Sequence, residues 1–434
     1  MLLILCLFCI RSSNIMSNGE KLDRLDGIND TVNVTVISTQ SLPEQSFFGS
    51  CTVRVNQSSY LNKNDTIVLR INGAPNLEIG DEFTLPVTYS KLHGDYKLSY
   101  YSEGIYIGAY ANDNFEKITT QKGLYGLAGK LRKHINKRIL NNTDNAPVLM
   151  SVLTGERAYM SQKFYDMVKA SGVSHILVVS GMHLAIITIS IEKIFQLIFK
   201  KEILKDVFLI CFVFFMCILF GMSMSVLRAG LVYFVRIFYK RLSRISNNVH
   251  SLAFAVLIVV FIHPFALYSL VFKLSYASTF GIFVLPPLFD EKFKKYTQRN
   301  EFLDSTAQTL YVSLSAFITT LPICVAHFGY VSTVSVAVNL LVSLATTVML
   351  SFNVLAVIFG FIPLLEKLFF IICDMLADYF VKIVTFFGSL DFNTLGFRNS
   401  TVLTVLILII YFIFYITLFK PYKFLKRGGE IADR

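Results

Sequence analysis

Residues 172–189 read Gly-Val-Ser-His-Ile-Leu-Val-Val-Ser-Gly-Met-His-Leu-Ala-Ile-Ile-Thr-Ile. The run is apolar enough to enter a bilayer, yet it holds His175, Ser180 and His183. Ionisable groups at membrane depth are costly, so they mark a site or a pathway. The Ser180-Gly181 pair also weakens the middle of what would otherwise be a plain helix. The bland alternative is a kinked spanning helix whose histidines bond neighbouring helices. Three further clusters break apolar runs: Leu227-Arg228-Ala229-Gly230; His263-Pro264 with Phe272-Lys273-Leu274-Ser275; and Leu321-Pro322 with His327-Phe328-Gly329 and Asn339. Buried Arg228 and Lys273 would need partners or a wet cavity. Together the clusters would line a polar, partly cationic interior suited to an anionic polymer.

Other chemistry is weaker in the same residues. Ser180 with His183 suggests an intramembrane serine hydrolase, but a nucleophile needs a base within hydrogen-bond reach. A His three residues on along one helix is close and poorly aimed, and the usual Gly two before the Ser is Val178. His175 and His183 stand eight apart, neither of the spacings that put two ligands on one helix face. The seven Cys show no disulfide framework: Cys211, Cys217, Cys324 and Cys373 sit in apolar runs, Cys51 is alone, and Cys6 and Cys9 share an apolar run. No catalytic residue, metal or cofactor is expected.

These clusters sit in a chain of 434 residues that is 54% hydrophobic, with 40 Phe and no Trp. A soluble domain cannot carry that much apolar surface, so the fold class expected is a polytopic α-helical membrane protein. The net charge of +11 does not indicate nucleic acid by itself, because cytoplasmic loops of membrane proteins collect Lys and Arg. Residues 1–29 read as the end of an N-terminal membrane helix and a linker. Residues 30–115 hold five short β-branched runs (31–38, 49–57, 66–72, 82–89, 104–110) separated by polar turns. They predict a small closed barrel with the OB-fold as its natural form. OB-folds bind single strands through basic grooves. This segment has five Lys or Arg against nine Asp or Glu, so a packing or gating role is at least as apt.

Residues 116–170 reverse the balance, ten Lys or Arg against four acids. Leu124, Leu127, Ala128, Leu131, Ile135 and Ile139 share one helical face, which predicts an amphipathic helix lying in the membrane interface. A second helix starts near Pro147, Gly155-Glu156-Arg157 interrupts it, and Ser161 suits the cap of a third. Lys130, Lys133, Lys137, Arg138 and Arg157 are the candidate pore-mouth cations, with lipid headgroup contact as the plainer use.

Residues 171–420 form the membrane part and 421–434 a basic tail. About nine spans or re-entrant pieces are expected: 173–198, 206–222, 224–239, 249–265, 270–289, 305–328, 333–361, 367–387 and 401–420. The third is short, holds Arg228 and Arg236, and suits a broken or re-entrant piece. Lys and Arg gather after the first, third, fifth and ninth spans, and Lys367 lies after the seventh. Loops 265–269 and 329–332 have none, and 388–400 has only Arg398. The positive-inside rule then places the β domain outside and the C-terminus in the cytoplasm.

Leu153-Thr154-Gly155-Glu156-Arg157, followed by the 172–183 run, resembles the signature of the ComEC competence proteins. Arg228-Ala229, the 264–275 stretch and His327-Phe328-Gly329 to Asn339 resemble that family's later blocks in the same order, and the likeness covers roughly residues 30–362. It implies an inner-membrane channel passing single-stranded DNA into the cytoplasm of a bacterium during natural transformation. On this reading His175, Ser180, Gly181, His183, Arg228, Lys273, Ser275, His327 and Asn339 line the path. The departures are Glu156 where the family usually has Asp, Lys273 where it usually has Gln, and no Pro after Asn339. Many members also carry a C-terminal metallo-β-lactamase-like nuclease. None of the seven His here falls in an HxHxDH run, so a separate nuclease is expected. The other partners implied are an extracytoplasmic DNA receptor, a cytoplasmic helicase, membrane lipid and a possible second copy of the chain. A transporter or exporter of another cargo, or a scaffold that no longer conducts, remains the alternative.

Overall fold

The computed structural model describes residues 2–40, 48–72, 77, 79–93, 97–111, 116–118, 123–179, 181–242, 248–297, 301–396 and 405. The chain opens with helix α1 (Leu2–Leu22), a 21-residue helix that contains the apolar start read as a helix end. The barrel follows: β1 (Asn29–Gln40), β2 (Phe48–Gln57), β3 (Thr66–Asn72), β4 (Glu82–Ser90), short helix α2 (Lys97–Ser102) and β5 (Ile105–Ala111). β6 (Glu116–Ile118) adds to β4. Strand side chains alternate between faces, and here Val32, Val34 and Val36 point inward with Val53, Val55, Ile67, Leu69, Phe83 and Leu85. The strand order is β1-β2-β3-β5-β4, and β4 returns to pair with β1. The sheet is thus a closed five-stranded barrel, parallel only at β3–β5, and closure removes the exposed edges.

Asp30 ties the barrel's first strand to the β2–β3 loop. Its carboxylate accepts from Ser58 Oγ (2.7 Å), Tyr89 Oη (2.9 Å) and the Ser59 N–H (3.2 Å). Partial burial opposes the charge, but these bonds outweigh it and hold the carboxyl below the ordinary carboxylate range. A depressed carboxyl stabilises the fold above its unfolded-state value, and that contribution is lost as pH falls through the folded one. Asp30→Asn is therefore expected to cost roughly 1–2 kcal/mol at neutral pH. The loss should shrink in acid, read by melting the protein in detergent at pH 7 and pH 3. An equal loss at both values would sink the assignment.

The barrel docks on helical ends through close backbone contacts. Gly80 has φ +87°, and a Cβ there would stand 2.7 Å from the Tyr125 carbonyl, so only glycine fits. Arg54 lies over the Tyr125 ring at 5.1 Å. A Cβ on Gly221 would stand 3.0 Å from Ser38 Oγ, and Tyr101 meets Phe265 edge to face at 6.0 Å.

Helix α3 (Gly123–Asn142) buries Gly126, Ala128, Gly129, Arg132, Ile135 and Ile139. Of the expected apolar face, Ala128, Ile135 and Ile139 are therefore buried in the protein, and Leu124, Leu127 and Leu131 lie exposed at its surface. The glycines let neighbours approach closely, so the helix packs its small residues with Ile135 and Ile139 against the protein and leaves the three leucines at the surface. Helix α4 (Ala146–Thr154) has Pro147 in its first turn and ends at Gly155 in the left-handed conformation. Every residue of α4 except Pro147 is buried, the mark of a core helix rather than a surface one. Helix α5 (Gln162–Ala170) is capped as expected, Ser161 Oγ accepting from the Phe164 N–H at 3.3 Å.

Beyond a 3-10 turn (Ser174–Ile176) run α6 (Gly181–Ile198), α7 (Glu202–Leu219), α8 (Met224–Arg241), α9 (Asn248–Ile262), α10 (Leu270–Thr297) and α11 (Glu301–Phe328). Then come β7 (Tyr330–Ser332), α12 (Ser335–Ile358), α13 (Pro363–Gly388) and β8 (Thr394–Gly396), with β7 and β8 paired antiparallel. Among the described residues, four segments are long and apolar enough to cross a membrane: Ser174–Lys193, Leu270–Pro287, Asp304–Phe328 and Ser335–Ile358. The expected third span, read as a broken or re-entrant piece, is one unbroken 18-residue helix, α8. The expected ninth span, 401–420, lies outside the described residues apart from residue 405. At one end of α7 and α8, Glu202 accepts from Lys240 (2.8 Å) and Lys205 (3.0 Å), which pull its carboxyl down to about 2. Arg241 Nε donates to Asp206 at 2.8 Å beside them.

Candidate functional site: a polar seam between the helices

Two polar groups meet where α6 begins. The first is built on the turn after α5. Gly172 has φ +76°, and a Cβ there would stand 2.4 Å from Ser335 Cβ, so this backbone is pressed against the start of α12. That contact brings His175 to α12. His175 retains open surface, and its ring is hydrogen-bonded to the Asn339 side chain and the Gly172 backbone. Asn339 Nδ2 in turn donates to Ser313 Oγ on α11 at 2.8 Å. One short network thus ties the turn, α12 and α11.

The second group is centred on Arg228 of α8. Its guanidinium donates to the Ser275 carbonyl and to Thr279 Oγ1 of α10, and lies over the Tyr276 ring at 5.8 Å. Ser275 Oγ donates to Ser225 Oγ at 3.3 Å. A Cβ on Gly181 would stand 2.9 Å from Arg228 Nη2, so glycine at the start of α6 leaves room for the guanidinium. His183, buried to 1% exposure, is an electrostatic neighbour of His175. Among the described residues Arg228 has no carboxylate partner, and a desolvated cation held only by neutral acceptors leaves its charge uncompensated.

Of the residues singled out by sequence, the structure brings Gly181, Arg228 and Ser275 into one cluster and His175 and Asn339 into another, with His183 beside them. Ser180 lies outside the described residues. Lys273 and His327 are exposed, and His327 meets the Phe328 ring edge-on at 5.1 Å. Lys130, Lys133 and Lys137 are exposed on α3. Arg138 and Arg157 are engaged elsewhere. Arg138 pairs with Glu366 at 3.5 Å, and Arg157 donates to Tyr165 Oη at 3.1 Å. The 153–157 motif is a knot: Thr154 Oγ1 donates to the Met150 carbonyl at 2.9 Å, and Glu156 pairs with the buried Arg132 at 3.4 Å.

Sequence reading missed Ser313, Ser225 and Thr279, hydroxyls with no spacing signal of their own. It also missed Asp374 and Asp378 of α13. Asn145 Nδ2 donates to both, at 2.9 Å and 2.8 Å, and Thr143 Oγ1 donates to Asp374. Two acids four apart inside an apolar run were the available signal.

A family model described as Competence protein matches residues 152–422. "ComE operon protein 3" of Bacillus subtilis (strain 168) is 25% identical over 281 residues, 61% of this chain and 33% of that protein. The chain therefore spans about a third of the length of this curated relative. No solved structure matches the chain.

Proposed function

The chain belongs to the Competence protein family, and from that premise we propose that it is the membrane conduit through which single-stranded DNA enters the cytoplasm in natural transformation. The observation that carries the proposal is Arg228, set among Ser275, Thr279 and Tyr276 with no carboxylate to neutralise it among the described residues. A passing phosphate would supply the missing negative charge. The seam from His175 and Asn339 to Ser313 supplies polar groups without further charge, which suits transit rather than retention.

The barrel is OB-like on this reading, since its strand order β1-β2-β3-β5-β4 closes through β1–β4. It faces outside, because it packs on the loops around Gly221 and Phe265, and the 265–269 loop carries no Lys or Arg. The paired charges of Glu202, Lys205, Lys240 and Arg241 then mark the cytoplasmic end in a multi-pass bacterial inner-membrane protein. The chain acts as a channel rather than an enzyme, and works alongside receptor, nuclease and helicase functions.

Deleting the gene is expected to abolish transformation, since DNA would have no other route across the membrane on this reading. Labelled DNA should still bind the cell surface and fail to reach the cytoplasm. Normal transformation in the deletion strain would end the proposal.

A further inference from the structure

Helix α5 and the last turns of α13 flank an open, shallow groove of about 540 Å³, lined by Lys163, Met167, Lys382, Thr385, Phe386 and Ser389. Its floor is tight, since a Cβ on Gly388 would stand 2.7 Å from the Met167 carbonyl. Lys169 on the same helix is paired with Asp166 at 3.2 Å, whereas Lys163 and Lys382 make no ion pair among the described residues. Two lysines without a carboxylate partner among the described residues line one groove, and an anion seated there would meet both. Phe386 stands beside them with 62% of its surface exposed.

The groove is also connected to the seam. Ser332 Oγ donates to the Ala170 carbonyl at the end of α5 (2.8 Å), and Gly172 packs on Ser332 and Ser335. His175 follows three residues later. One end of α5 thus faces the groove and the other leads to His175. An anionic headgroup would need only the charges. Cations beside an exposed aromatic ring match a phosphate with a flat base attached, and lysine contacts phosphate as a point charge without reading sequence.

The geometry points to a single-stranded DNA subsite here, in which Lys163 and Lys382 take phosphodiester oxygens and Phe386 stacks on a base. The inference rests on the conduit reading above.

The test titrates the full chain, in nanodiscs of neutral phosphatidylcholine, with a fluorescein-labelled oligothymidylate at several salt concentrations. Each variant is first melted to establish folding. The Lys163→Gln/Lys382→Gln double variant should bind about tenfold more weakly. Its log-affinity against log-salt slope should be shallower by about 1.4, because each phosphate that a lysine neutralises on a single strand contributes about 0.7. Phe386→Ala should weaken binding roughly tenfold with the slope unchanged. Phe386→Leu should weaken it nearly as much, because it keeps apolar bulk and loses the ring face. Wild-type binding that the double variant leaves unchanged overturns the subsite and leaves the conduit reading standing. So does a double variant that loses only affinity for phosphatidylglycerol vesicles, which makes the groove a lipid site. A wild-type protein with no affinity for the oligonucleotide, from a gene whose deletion leaves transformation normal, fails both.

Discussion

Gly172→Ala is expected to destabilise the protein by roughly 2–5 kcal/mol, from about 1–2 for the left-handed backbone and about 1–3 for overpacking. The backbone there has φ +76°, and the added methyl carbon would stand 2.4 Å from Ser335 Cβ and 2.9 Å from Ser332 Cβ. Neither neighbour can yield cheaply. Ser332 lies in β7 and donates to the Ala170 carbonyl, and Ser335 opens α12. Asn339 is one turn further along α12, so a displaced turn also breaks the His175–Asn339 bond. Gly104→Ala separates the two costs. Its φ is +75° with nothing within 4 Å, so only the backbone term of about 1–2 kcal/mol applies. Thermal unfolding of both variants in detergent measures the difference. Equal losses would mean that the turn is not pressed against α12.

How far the fold was legible follows from what each residue type announces. The barrel strands were readable because alternation such as Val32, Val34, Val36 against Thr31, Asn33, Thr35 leaves one register for a half-buried strand. All five strands lie within a few residues of the expected runs. The helix break at Gly155 and the cap at Ser161 were readable because their chemistry is local. The protein-facing side of α3 was legible only in part. Apolar periodicity picked out Ala128, Ile135 and Ile139, but gave no signal for Gly126 and Gly129, whose small size allows close packing. Within the site, Arg228 announced itself through the cost of its charge in an apolar run. Ser313 and Thr279 gave no such signal, since a hydroxyl on a helix can bond its own preceding turn, as Thr279 Oγ1 does to the Ser275 carbonyl at 2.8 Å. Lys273 carried the same sequence signal as Arg228 and lies exposed, so charge in an apolar run marks candidates without placing them.

Arg228→Met is expected to leave the fold within about 1 kcal/mol of wild type and to cut DNA uptake per folded molecule at least tenfold. The first half follows from what the guanidinium leaves behind. The Ser275 carbonyl still accepts from Thr279 Oγ1 at 2.8 Å and Ser278 Oγ at 3.1 Å, so no buried acceptor is orphaned. Methionine fills much of the stem volume and adapts to irregular gaps. Replacing a buried charge by an apolar side chain of similar size is commonly neutral or stabilising. The second half follows from the uncompensated charge, which serves transit only if an anion meets it. Gly181→Ala probes the same contact from α6, because its methyl would stand 2.9 Å from Arg228 Nη2 and push the guanidinium aside. It should lower uptake in the same direction while the charge itself remains. Uptake is measured as cytoplasmic label per molecule of folded protein, with thermal unfolding as the control. A structural staple behaves oppositely. Stability would fall in Arg228→Met, and uptake would drop only in proportion to the fall in folded protein.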